Sequence, residues 1–194
     1  MLFKQAVEAL SDGELVVYPT ETLYGLGADA KNVDAVKKVF EAKERPSGMA
    51  LPVAVCDLKM MERIAEVGEV ARKLYGLFLP GPLSMVLPRK EYLPKETAGG
   101  LDTVMVRVPS HSIAIDLIES FGGPITATSA NIHGGKNPSS LDIAFDQLGA
   151  KIKVYLNAGH LGGTASTIVD LTTKKPAILR EGAIPRNVVE DALR

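Results

Sequence analysis

A single cysteine, Cys56, among 194 residues excludes an internal disulfide. It lies at the end of an apolar run, where a thiol is expected to be buried and inert. Aromatic residues make up only 5% of the chain and the formal net charge is −1. Neither figure suits a protein that grips nucleic acid over its whole surface, although a local basic patch stays open. No apolar run reaches the length of a membrane span. Near the N-terminus, Lys4 and Glu8 interrupt the one stretch that could pass for a signal peptide. The expectation is therefore a cytoplasmic protein with no membrane partner. Familiar catalytic devices are also missing. Gly134-Gly135-Lys136 runs into Asn137, so there is no G-x-x-x-x-G-K-[ST] phosphate loop, and no G-x-S-x-G elbow occurs. His111, His133 and His160 lack zinc-ligand spacing and read as solvated or capping residues, so no metal site is expected.

What remains is an ordinary globular composition, 46% hydrophobic and 23% charged. A chain of this length can bury a core without staples, and residues 1–194 are read as a single domain. Phe3, Val7 and Leu10 share a helical face that Asp12-Gly13 closes, before a short buried strand at 15–17. A second amphipathic helix carries Val33, Val36, Val39 and Phe40, with Asn32 as its cap and Pro46 as its stop. Strand 50–55 and helices 58–67 and 70–78 follow, then Pro80-Gly81-Pro82. Beyond that turn come strands 83–87 and 103–108, helix 112–121 and strand 125–127. The last third holds helix 141–148, strands 154–156, 167–171 and 177–179, and a helix opened by Pro185. Interleaved strands and helices without linker or repeat predict an α/β fold, a twisted open mixed sheet flanked by helices. Residues 89–100 read as a mobile surface loop.

Polar groups collect at a few strand ends. Tyr18-Pro19-Thr20-Glu21-Thr22-Leu23-Tyr24-Gly25-Leu26-Gly27 reads as a tight polar turn following the first strand, either ordinary turn chemistry or a ligand wall. Lys43 and Arg45 sit where the second helix breaks. They suit the helix dipole, and at an unwinding terminus both could also face one anion. Thr126-Ala127-Thr128-Ser129-Ala130-Asn131 is either a cap or a small-residue strand end that lets a ligand approach the backbone. Arg107, in an apolar strand, needs an anionic partner, which could be a structural carboxylate or a ligand's. Arg180 repeats that pattern, and Ser166-Thr167 opens another apolar strand. The implied site is cationic and hydroxyl-rich, working by placement and charge stabilisation.

Seven segments in order resemble the YrdC family of threonylcarbamoyl-AMP synthases, over about residues 14–183. They are Pro19-Thr20-Glu21-Thr22-x-Tyr24-Gly25-Leu26, Lys43-x-Arg45-Pro46, Pro80-Gly81-Pro82-Leu83, Val106-Arg107-Val108-Pro109, Ser129-Ala130-Asn131, Ser166-Thr167-Ile168-Val169-Asp170 and Ile178-Leu179-Arg180-x-Gly182. The resemblance implies the YrdC-like fold around a positively charged cleft. It also implies formation of threonylcarbamoyl-adenylate and pyrophosphate from L-threonine, bicarbonate and ATP, for modification of certain tRNAs.

By position, Thr22, Arg107 and Ser166 would hold threonine, with the backbone at Ala127 a further contact. Lys43, Arg45, Ser129, Asn131, Arg180 and Asn137 would hold ATP, with Thr103 and Met49 as further contacts. Lys43 and Arg45 would offset charge building on the phosphates, with Mg²⁺ bridging them. Thr20 and Glu21 become scaffolding of the turn. A downstream threonylcarbamoyl transferase complex is the implied consumer of the product. A non-catalytic factor binding tRNA or double-stranded RNA is the competing expectation. Two departures stand out: Ala54 where some longer relatives place a histidine near threonine, and Glu181 where proline often follows the arginine. The chain is expected to be of the short type, lacking the extra C-terminal domain of longer relatives.

Overall fold

The computed structural model describes residues 1–46 and 48–194. β1 (Val16–Pro19) and β2 (Tyr24–Gly27) form an antiparallel hairpin, with Val16 opposite Gly27 and Pro19 opposite Tyr24. The polar turn expected over 18–27 is therefore confined to 20–23. Gly25 and Gly27 do not break the strand. They make room for the Tyr18 ring across the hairpin, where an added Cβ would come within 2.9 and 3.0 Å of it. Every residue of β1 is buried. Val16 and Tyr18 belong to one core and Val17 to another, as the two-residue period of a strand requires. That is why the run looked uniformly apolar.

β1 and β2 are central in a four-stranded sheet, flanked by β8 (Val154–Tyr155), parallel to β1, and β7 (Thr128–Ser129), antiparallel to β2. A second sheet has six strands in the order β10-β9-β4-β5-β3-β6. These are β10 (Ala177–Arg180), β9 (Thr167–Asp170), β4 (Leu83–Pro88), β5 (Thr103–Arg107), β3 (Val53–Ala54) and β6 (Ile125–Thr126). The fold is mixed α/β as expected, but with two sheets rather than one. The expected strand 125–127 belongs to both of them. Its first two residues form β6, Ala127 turns aside to give its N–H to Pro52 O at 2.7 Å, and β7 begins at Thr128. Thr126 ties the sheets together: its hydroxyl donates to Leu26 O (2.8 Å) and accepts from Ala28 N (3.0 Å).

Helices flank both sheets. α1 (Leu2–Ser11), α3 (Leu58–Ile64), α4 (Glu69–Phe78), α5 (Ser112–Phe121) and α7 (Arg186–Leu193) contribute to the larger core with β4 and β5. α2 (Val33–Ala42) and α6 (Leu141–Leu148) build the smaller core on the four-stranded sheet. Asn32 caps α2 as expected, its Oδ1 accepting from Asp34 N and Ala35 N. The expected strand 50–55 shrinks to β3, and α3 ends at Ile64 rather than running to 67. Among the described residues, no helix is long and apolar enough to cross a membrane.

Residues 89–100 are anchored rather than loose. Leu93, Thr97 and Ala98 are fully buried. Thr97 donates its hydroxyl to Ala30 O at 2.7 Å and accepts the Leu51 N–H at its carbonyl. The charges that suggested a surface loop belong to Arg89, Lys90 and Glu91 before these anchors and to Lys95 and Glu96 between them.

Candidate active site

A cavity of about 330 Å³ opens between the two sheets, within the ~300–1,000 Å³ typical of small-molecule sites. The hairpin turn supplies Thr20 and Thr22, β7 supplies Ser129, and the six-stranded sheet supplies Ser84, Met105, Arg107, Ile168 and Arg180. Arg45, Ala127, Thr128, Asn137 and Ser166 also line it, and among the described residues the lining holds three guanidinium groups and no carboxylate.

In the turn, Thr20 spends its hydroxyl proton on Leu23 O at 2.6 Å and accepts the Thr22 and Leu23 N–H groups. Thr20 is the scaffolding the sequence suggested. The Thr22 hydroxyl lies 2.9 Å from it. With Thr20's proton committed, Thr22 is the donor of that contact, sharing Thr20 Oγ1 with the two N–H groups and keeping both of its own lone pairs. Arg107 Nη1 donates to one of them at 3.3 Å.

Glu21 differs from its expected role. It does not merely shape the turn but pairs with Arg107, Oε1 accepting from Nη2, while Oε2 accepts the Ser110 N–H at 3.1 Å. The partner that Arg107 required is thus a structural carboxylate, with one guanidinium edge still turned toward Thr22.

Across the cavity, Arg180 donates through Nε (3.1 Å) and Nη2 (2.8 Å) to Ser166 O. Burial, and secondarily the positive charge of Arg107, lower the pKa of Arg180 from its ordinary value. Ser166 and Ser84 share a hydrogen bond at 3.0 Å. Neither hydroxyl has another acceptor among the described residues, so the pair holds one unspent O–H donor beside the cavity. Gly182 lies so close to the Ala165–Ser166 backbone that a Cβ would come within 2.3 Å of Ala165 O.

Arg45 is presented by a sharp turn after α2. Glu44 takes the left-handed conformation (φ 51°) usually left to glycine, and Arg45 N–H returns to Phe40 O. Arg45 Nη2 donates to Ala50 O at 3.0 Å. The buried Nε–H groups of Arg45 and Arg107 have no partner among the described residues.

Lys43 is 2% exposed and sits behind the lining rather than in it. Its ammonium donates to Asn131 O (2.7 Å), Asn131 Oδ1 (3.3 Å) and Ser129 O. Burial and then the Arg45 charge pull its pKa down to about 7. Three acceptors exceed the two N–H groups of a neutral amine, so the cage fits the ammonium form. Asn131 is likewise internal, accepting from Ser129 Oγ at 2.6 Å and donating to Gly135 O at 3.0 Å.

Of the residues singled out from sequence, Thr22, Arg45, Arg107, Ala127, Ser129, Asn137, Ser166 and Arg180 line one cavity. Met49 is 39% exposed and its neighbour Ala50 takes the lining position. Thr103 starts β5, four residues before Arg107, about 13 Å away at roughly 3.3 Å per strand residue. Ala54 is packed in the larger core and is not among the lining residues. Glu181 turns its carboxylate to the Arg186 N–H at the start of α7. Ser84, Met105 and Ile168 are lining residues the sequence reading missed. Two-residue alternation could have flagged Met105, beside Arg107 on β5, and Ile168, two residues from Ser166, but no suspected residue on β4 pointed to Ser84.

Residues 8–182 match the Sua5/YciO/YrdC family model, whose description reads "Telomere recombination". The threonylcarbamoyl-AMP synthase of Pyrococcus abyssi is 42% identical over 186 residues, covering 95% of this chain and 55% of that protein. The threonylcarbamoyl-AMP synthase of Bacillus subtilis is 40% identical over 189 residues, with 96% and 55% coverage. The chain thus spans a little over half the length of these relatives. A crystal structure of P. abyssi Sua5 complexed with L-threonine superposes with a TM-score of 0.95, at 42% identity, over 98% of this chain and 56% of that one. The E. coli YciO crystal structure gives a TM-score of 0.86 at 29% identity, over 94% of this chain and 89% of that one.

Proposed function

Because the chain belongs to the Sua5/YciO/YrdC family, we propose that it makes threonylcarbamoyl-AMP and pyrophosphate from L-threonine, bicarbonate and ATP. The observation that carries this reading is a cavity lined by three guanidinium groups and several hydroxyls and, among the described residues, by no carboxylate. Such a lining binds carboxylate and phosphate and offers no group that must act as a nucleophile. The threonine complex of the P. abyssi relative supports threonine as one substrate.

In this proposal Arg107 Nη1 takes the threonine carboxylate and the Thr22 lone pair that Arg107 leaves free accepts from its amine or hydroxyl. The spare O–H of the Ser84–Ser166 pair donates to the substrate from the other side. The amine condenses with bicarbonate to a carbamate, releasing water. A carbamate oxygen then attacks the α-phosphorus of ATP, the bond to the β-phosphate oxygen breaks, and pyrophosphate leaves. Arg45 and Arg180 stabilise charge on the phosphates, with Asn137 as a further donor. Ser129 has spent its proton on Asn131, so it presents an acceptor and suits a ribose hydroxyl or the adenine amino group. Lys43 adds positive charge from behind. Among the described residues no group of three His, Cys, Asp or Glu side chains could hold a metal ion. The donor set does not fit a protein-held divalent cation, and magnesium enters as the counter-ion of the ATP substrate.

The product would be consumed by a separate transfer machinery acting on tRNA. Pyrophosphate release from ATP, with threonine and bicarbonate omitted in turn, tests the proposal. Release should need both, and release that ignores threonine overturns it.

A further inference from the structure

Arg107 lies deep, with its side chain 8% exposed, and every nitrogen of its guanidinium faces a different environment. Nη2 meets Glu21, Nη1 meets Thr22, and Nε is buried without a partner among the described residues. Glu21 is 18% exposed and does not line the cavity. Both its oxygens are committed, one to Arg107 and one to the Ser110 backbone, so it joins the hairpin turn to the chain leaving β5. We propose that Glu21 is a positioning residue: it holds Arg107 by Nη2 and so aims the Nη1 edge at the substrate carboxylate. This rests on the reading of Arg107 given above.

The chemistry of the two oxygens makes the role specific. Both accept from donors, so a glutamine at this position must turn its NH₂ group toward either Nη2 or the Ser110 N–H. One donor then faces another, and the guanidinium loses its fixed aim. Arg180 lines the same cavity. Its like charge gives a released Arg107 a reason to move away.

The test compares L-threonine with L-threoninol, which has a hydroxymethyl group in place of the carboxylate, by calorimetric titration of the intact protein, with ATP titrated separately. The unsubstituted protein should bind threonine at least about tenfold more tightly than threoninol, the range of a charge-assisted hydrogen bond. Glu21→Gln should weaken threonine about tenfold and leave threoninol and ATP within about twofold. In Arg107→Gln, adding Glu21→Gln should cost nothing further. Glu21→Asp keeps the charge but, one methylene shorter, cannot reach both donors, and should recover part of the preference for threonine. Should Glu21→Gln not fold, Glu21→Asp carries the test: a partial, threonine-only loss supports the proposal. In either variant an undiminished preference, or an equal loss for threonine, threoninol and ATP, overturns it. An unsubstituted protein with no preference for threonine over threoninol overturns the reading of Arg107, and the proposal with it.

Discussion

Replacing Thr167 by valine tests whether the substrate floor is held by one hydroxyl. Thr167 is fully buried at the start of β9. Its Oγ1 donates to Ile184 O at 2.7 Å and accepts from Gly182 N at 2.9 Å and Ile184 N at 3.1 Å. Those bonds fasten the chain after Arg180 to the strand beginning beside Ser166. Valine has the same shape and none of the bonds. At about 1 kcal/mol net per hydrogen bond, the loss is about 3 kcal/mol. For a chain of this size that lowers Tm by about 6–12 °C. Thr167→Ser keeps all three bonds and loses one methyl group, about 1 kcal/mol. Urea unfolding of both variants measures the difference, and the KM for threonine reads its effect on the site. A valine variant within about 1 kcal/mol of the parent, or less damaged than the serine variant, would refute the reasoning.

Four further outcomes follow from the structure. Thr126→Val removes the hydroxyl joining Leu26 O to Ala28 N and should cost about 2 kcal/mol in urea unfolding, with Thr126→Ser, which keeps both bonds, losing about 1 kcal/mol. Arg45→Ala should lower pyrophosphate release at least about tenfold at saturating threonine, as loss of a charge-stabilising donor does. Lys43→Ala should do the same while also lowering Tm, because the carbonyls of Ser129 and Asn131 lose their shared donor. Burial, with Asp57 and Glu119 nearby, raises the Cys56 thiol. Cys56 is only partly buried, not fully buried as expected from sequence. Its alkylation rate against pH should inflect above the ordinary thiol value, and an inflection below that value would contradict this reading.

The order of elements was legible because apolar periodicity and caps such as Asn32 are local properties. What escaped was long-range. Nothing local in Tyr24–Gly27 says that its glycines accommodate Tyr18 across a hairpin, so a strand read as a turn. Ile125–Ala127 has one unbroken strand composition, yet its neighbours on the two sheets pull it apart at Ala127. The charges of 89–100 masked the buried Leu93, Thr97 and Ala98. In the site, residue type found the arginines and hydroxyls, but proton accounting needed coordinates. Glu21 as partner of Arg107, and Lys43 caged by carbonyls, follow from distances across 86 or more positions.

Ala127 leaves one sheet for the other at the wall of the cavity, so the width of the site is set by an angle. Ser129 lies two strand residues beyond that crossing, about 7 Å along the chain. A rotation of about 10° between the sheets would carry it about 1.2 Å, enough to break a hydrogen bond. The hydroxyl of Thr126 bonds Leu26 O and Ala28 N beside that pivot and so restrains the rotation. In the proposed reaction, discrimination between substrates would therefore belong partly to residues that touch no ligand, and substitutions there would alter fit while leaving every contact residue in place.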